Sequence, residues 1–198
     1  MRVASSAIYL SRAKARGLDP ACDDVQDLVE ALKRNDPAAI DAAAELLAGH
    51  PALRDFDGTV VATPRSSDRR PQSNVALAEA LVDYGVGSRA VPAVARVVAV
   101  PSSRARRRKY GSVDAGVPYA EHRRTMAVVE PLGTYEPVLL VDDILTSGTT
   151  LMATADTLED AGHRGARTGA VLAYYEDDTR RAAACPVDFR VFTLREDV

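Results

Sequence analysis

A chain of 198 residues, 46% of them hydrophobic, is long enough for one folded domain, or for one with an appended segment. Its formal net charge of −3 gives no bulk attraction to nucleic acid, and no apolar run approaches the length of a membrane span. Two cysteines, Cys22 and Cys185, lie far apart without C-x-x-C spacing, which argues against zinc and for buried free thiols.

In chain order, Met1 to Arg16 is basic but lacks the continuous apolar segment and cleavage site of a signal peptide, so a cytoplasmic location is expected. Residues 1–56 read as a helical N-terminal extension. Asp23 or Asp24 is placed to cap a helix with Val25, Leu28, Val29 and Leu32 on its apolar face. Asp36-Pro37 starts a second helix that ends near Gly49. Residues 57–198 then form the main domain. Thr59 to Thr63 reads as a strand running into the basic, hydroxyl-bearing turn Pro64 to Arg70, and Asn74 to Val82 has helical spacing. Ala93 to Val100 is apolar apart from Arg96. A basic run follows, Arg104, Arg106, Arg107, Arg108 and Lys109, and then a glycine- and proline-bearing loop to Tyr119. As a plain charge run it would be a solvated segment able to touch nucleic acid, a partner the composition does not favour.

The most informative stretch is Val138 to Thr150, V-L-L-V-D-D-I-L-T-S-G-T-T. Four apolar residues predict a buried strand, Asp142 and Asp143 follow, and Thr146, Ser147, Gly148, Thr149 and Thr150 form a hydroxyl-rich turn. Leu151 to Ala161 has the spacing of a helix, closed by Gly162. Ligands of α/β proteins sit where parallel strands end, and the first turn of a helix offers unpartnered N–H groups to a phosphate. A glycine lets the backbone approach that phosphate. Two carboxylates beside it are suited to accept hydrogen bonds from a vicinal diol. Together these features suit a ribose 5-phosphate. A response-regulator receiver domain also opens on V-L-L-V-D-D, but too little chain follows Asp143 to complete one. A nucleotide P-loop would need a lysine after Gly148, and none is there. Further strands are expected at Ala166 to Tyr174 and Phe189 to Leu194.

Val138 to Thr150 resembles the thirteen-residue signature with which type I phosphoribosyltransferases bind 5-phosphoribosyl 1-diphosphate (PRPP), with Ser147 where threonine is usual. The resemblance spans about residues 57 to 195. Arg69-Arg70 ahead of Asn74, and Glu121 to Thr125, make it most similar to the ComF-like, amidophosphoribosyltransferase-related branch. R-P-Q-S-N stands where that branch has R-G-F-N-Q, and helices stand where it has a zinc module. The resemblance implies an α/β fold with a central, mainly parallel sheet flanked by helices, a hood, and the helical extension.

It also implies transfer of phosphoribosyl to a nitrogen acceptor with release of pyrophosphate, or, as the alternative, a PRPP-sensing regulator or a nucleic-acid-uptake or processing factor. Asp142 and Asp143 would be the catalytic pair and hold the ribose, and would hold Mg²⁺ indirectly, through ribose or water. Thr146 to Thr150 would bind the 5-phosphate, and Arg65 and Ser66 the pyrophosphate. Arg104, Arg106, Arg107, Arg108 and Lys109 would belong to the hood. Tyr174, Tyr175, Glu176 and Asp177 are candidates for the acceptor side. A homodimer is the ordinary expectation for a soluble enzyme of this size.

Overall fold

The computed structural model describes residues 1–10, 20–65, 72–100, 117–175 and 187–194. Ser66, Arg69, Arg70, the basic run from Arg104 to Lys109, Glu176, Asp177 and Cys185 lie outside them, as does the side chain of Cys22.

The first element corrects the helical reading of the N-terminal segment. Residues Arg2–Tyr9 form a strand, β1, in which Val3 to Ile8 are all buried. Alanine and serine supply four of those six positions, a composition with no strand signature of its own. Burial on both faces removes the alternation that would have marked it. The rest of the segment is helical as expected. Helix α1 (Pro20–Lys33) starts ahead of Asp23, which therefore lies inside the first turn rather than at the cap. Its negative charge suits the positive end of the helix dipole. Helix α2 (Pro37–Ala48) is capped by Asp36, whose carboxylate accepts from the Ala39 amide at 3.1 Å, with Pro37 at its first position.

Strand β2 (Thr59–Ala62), helix α3 (Ser73–Asp83) and strand β3 (Arg89–Val91) follow, then the short strand β4 (Val94–Arg96). Helix α4 (Tyr119–Arg124) leads into strand β5 (Met126–Val128). Next come β6 (Val138–Leu145), α5 (Thr149–Asp160), β7 (Arg167–Tyr175) and β8 (Val187–Thr193).

The main sheet has the order β3-β2-β6-β7-β1-β8. All its pairings are parallel except β1 with β8. A separate antiparallel pair, β4 with β5, lies beside it. The chain is thus α/β, with a mainly parallel central sheet flanked by helices. On one face Val29, Leu32, Leu47, Leu77 and Leu81, from α1, α2 and α3, pack on Val60, Leu139, Val141 and Leu172. On the other, Leu151 and Leu158 of α5 pack with Val61, Leu140 and Val171, and Val94 and Met126 join them from the small sheet. Because β1, β2, β6 and β7 run parallel, their carboxyl ends share one edge. Tyr9, Thr63, the Asp142–Asp143 pair and Tyr175 therefore line up there.

At the opposite edge the chain passes very close to itself before β7. A β-carbon on Gly165 would stand 2.0 Å from the Glu136 carbonyl oxygen, a backbone atom that cannot swing aside. Gly165→Ala is expected to cost about 1–3 kcal/mol, the range of an overpacked or backbone-shifting substitution. Urea denaturation would measure it, and a loss below about 0.5 kcal/mol, the scale of an ordinary surface change, would contradict the close approach.

Candidate active site

Strand β6 carries its four fully buried residues, Val138 to Val141, through the middle of the sheet and delivers Asp142 and Asp143, both half-buried, to the carboxyl edge. Asp142 Oδ1 accepts from Asn74 Nδ2 at 3.0 Å and from the Asp143 amide at 2.9 Å, and the Thr63 hydroxyl adds a third donor. Asn74 sits in the first turn of α3, 2% exposed, and its amide nitrogen also reaches the Thr63 carbonyl and hydroxyl, at 3.2 and 3.1 Å. Asn74 entered the sequence reading as a helix start and through family resemblance; the structure gives it a geometric task, holding Asp142 in place. Loss of solvent, and then the charge of Asp143, push the Asp142 carboxyl up to about 7, against the opposing pull of these donors. Asp143 Oδ1 accepts from the Ile144 amide at 2.7 Å, and its Oδ2 lies 3.6 Å from the Lys33 ammonium at the end of α1. Lys33 was not a sequence candidate, because nothing in its own neighbourhood refers to a residue on β6.

The chain then turns into α5. Thr146 and Ser147 are exposed, Thr149 and Thr150 half-buried, and Ser147 Oγ and Thr149 Oγ1 are 3.0 Å apart. Gly148 caps α5 at φ 74° and ψ 1°, a left-handed conformation that favours glycine. A β-carbon there would also come within 2.7 Å of Leu194 Cδ1, just beyond β8, a side-chain end that can shift. No side chain caps α5, so its first-turn amides are left for another acceptor. All five residues expected to bind a phosphate are thus contiguous, from Thr146, three residues after Asp143, into the first turn of α5.

Arg65 lies on the same edge, after β2. Its Nη1 donates to Ser73 Oγ at 2.8 Å and to the Lys33 carbonyl at 3.2 Å, tying the turn to both α3 and α1. The Arg65 carbonyl in turn accepts from Arg96 Nε at 2.7 Å. Arg96 is 4% exposed; its Nη1 donates to Thr125 Oγ1 at 2.7 Å and its Nη2 faces His122 Nδ1. Arginine only donates, so His122 must be neutral with its proton on Nε2. Burial first, and then the Arg96 charge, push the imidazole down to about 4. Arg96 read in sequence as a lone charge in an apolar run. It is instead the link that fixes β4, β5 and α4 to the turn holding Arg65.

Other candidates fall elsewhere. Tyr174 is buried, with its ring 4.8 Å from that of Phe192 and the Arg190 guanidinium 5.5 Å above it, so it packs the core. Tyr175 is half-buried opposite Tyr9. Arg123 faces α5, donating to Thr157 Oγ1 at 2.8 Å and pairing with Asp160. A cleft of about 680 Å³ opens beside it, lined by Tyr119, Arg124, Met126 and Thr157, away from the acidic pair. Among the described residues no three His, Cys, Asp or Glu side chains converge as a metal site, and no helix is long and apolar enough to cross a membrane.

No family model and no curated protein matches the chain. Among solved structures it is similar to a purine phosphoribosyltransferase from Pyrococcus horikoshii Ot3, at 12% identity over 86% of this chain and 88% of that one, with a TM-score of 0.36. That likeness is too loose to bear on residues or chemistry.

Two stability predictions follow from the charges. Asp142 binds its proton more tightly folded than unfolded, so the folded chain loses stability as pH rises from about 4 to about 7. Asp142→Asn mimics the protonated acid and keeps an acceptor for Asn74. It should be more stable than the wild type above pH 7, by about 2 kcal/mol after allowing for partial solvation, and the gain should vanish near pH 4. His122 has the opposite sign. Its neutral form contributes stability fully above pH 6.5, the unfolded value, and loses it as pH falls toward about 4. Between those limits the wild type should lose about 3 kcal/mol more than His122→Gln in denaturant melts, and parallel curves would show that His122 does not titrate with folding.

Proposed function

We propose that this chain is a phosphoribosyltransferase that binds Mg²⁺–PRPP and transfers the phosphoribosyl group to a nitrogen acceptor, a nucleobase or an amine, releasing pyrophosphate. One observation carries the reading: a half-buried carboxylate pair at the end of β6 runs, through a single left-handed turn at Gly148, into the uncapped first turn of α5. Acceptors suited to a diol and donors suited to a phosphate are thereby joined in one short stretch of chain.

In this reading the ribose hydroxyls donate to Asp142 and Asp143, and the 5-phosphate accepts from the amides and hydroxyls of Thr146 to Thr150. Arg65 and Ser66 would serve the diphosphate, and the basic run Arg104 to Lys109, which lies outside the described residues, would belong to the hood. The C1–oxygen bond to diphosphate breaks, a C1–nitrogen bond forms, and the proton displaced from the acceptor leaves to solvent or to Asp143. Asp143 is the acid placed to assist the acceptor or to stabilise positive charge on the sugar. Asp142 and Asp143 would hold Mg²⁺ indirectly, through ribose or water, an oxygen shell of the kind Mg²⁺ prefers. Mg²⁺ bound with the substrate would balance charge on the leaving diphosphate. The ComF-like reading rests on Arg69-Arg70, Asn74 and Glu121 to Thr125 in the sequence; Asn74, in the first turn of α3, donates to Asp142.

Calorimetry with Mg²⁺–PRPP tests the site. Asp142→Asn and Asp143→Asn should each weaken binding by about 100-fold or more, the scale of removing a charge-assisted acceptor and leaving donors unpaired. Unchanged affinity in both would refute the assignment. Pyrophosphate release with a panel of bases and amines then separates the enzyme from a sensor, which would bind without turnover.

A further inference from the structure

Lys33 closes α1, and its ammonium lies 3.6 Å from Asp143 Oδ2, with the lysine side chain 38% exposed and that of Asp143 17% exposed. The same ammonium is 6.0 Å from the centre of the Tyr9 ring at the end of β1. Its backbone is fixed more firmly than its side chain. Arg65 Nη1 donates to the Lys33 carbonyl while also holding Ser73 Oγ, so the last turn of α1 is tied to the turn after β2. Lys33 therefore stands between Asp143 and the Arg65 turn, two places that the function proposed above assigns to the ribose and the diphosphate of one ligand.

We propose that Lys33, from the N-terminal segment, is a binding residue for the diphosphate of the bound ligand; this rests on the PRPP reading of the site. Three features of the geometry support it. The contact with Asp143 is long and partly solvated, which makes it a weak ion pair that a better partner can replace. A lysine carries its charge on a flexible four-carbon stem, so the ammonium can swing while its backbone stays held by Arg65. Finally, a ribose hydroxyl taking Asp143 as acceptor competes with the ammonium for that carboxylate. A diphosphate on the neighbouring sugar carbon brings several anionic oxygens within a few ångströms, and charge-assisted bonds to them are the stronger choice. The helix end thus supplies a cation to the leaving group from a segment whose sequence carries no motif.

The test uses the full chain with Lys33→Met, which keeps the apolar stem, and Lys33→Arg, which keeps the charge. Calorimetry is run with Mg²⁺–PRPP and with ribose 5-phosphate, which has the diol and the 5-phosphate but no diphosphate. Lys33→Met should weaken Mg²⁺–PRPP binding by about tenfold or more and change ribose 5-phosphate affinity by less than about twofold, with Lys33→Arg recovering most of the loss. Equal losses for both ligands, or no loss for Mg²⁺–PRPP, would overturn the role of Lys33 while leaving the site itself in place. A wild-type chain that bound neither ligand would instead sink the PRPP reading, and this inference with it.

Discussion

Two carboxylates on adjacent residues at the end of a buried strand repel one another, and loss of solvent makes the repulsion worse. Nearly every feature of the carboxyl edge answers that problem. Asn74 from α3, Thr63 from the end of β2 and the Asp143 backbone amide all donate to Asp142, while Lys33 from α1 faces Asp143. Elements that are remote in sequence converge on one dipeptide, and their donors do not fully relieve it, since the Asp142 carboxyl still stays near 7. A carboxyl perturbed in this way by burial and a like charge is the kind of group that clusters at functional sites.

The second constraint is the coupling of the small β4–β5 sheet to this edge. Arg96 is buried and spends its guanidinium on the Arg65 carbonyl, Thr125 and His122. Arg65 is thereby held from behind, and it holds Lys33 and Ser73 in turn. Movement of the small sheet would be felt at the turn after β2 through a chain of direct hydrogen bonds. A neutral His122 is part of that chain, because only the unprotonated Nδ1 can accept from Arg96.

Local signals in the sequence were reliable where one segment determined its own structure. Val138 to Val141 followed by Asp142, Asp143 and the Gly148 turn gave the strand, the edge and the helix, and the structure keeps that order, with β6 continuing through the acids to Leu145 and α5 beginning already at Thr149. Asp36-Pro37 likewise marked α2. Strand β1 was hidden because Ala4, Ser5, Ser6 and Ala7 have no strand signature, and only the gap between β7 and β8 makes that run a strand. Asp23 misled in a smaller way, since a helix can begin ahead of an acid that looks like its cap.

What the sequence alone determined, then, is the chemistry of one turn: two acids, four hydroxyl residues and the glycine that lets the backbone bend through φ 74°. Tertiary structure decided who surrounds it. Lys33, Asn74, Arg65 and Arg96 take their positions from the parallel alignment of β1, β2 and β6, which stacks the ends of distant segments on one edge. Backbone conformation is set over a few residues and can be read there. The partner of a charged side chain is set by strand order across the whole sheet, and no short stretch of sequence records it.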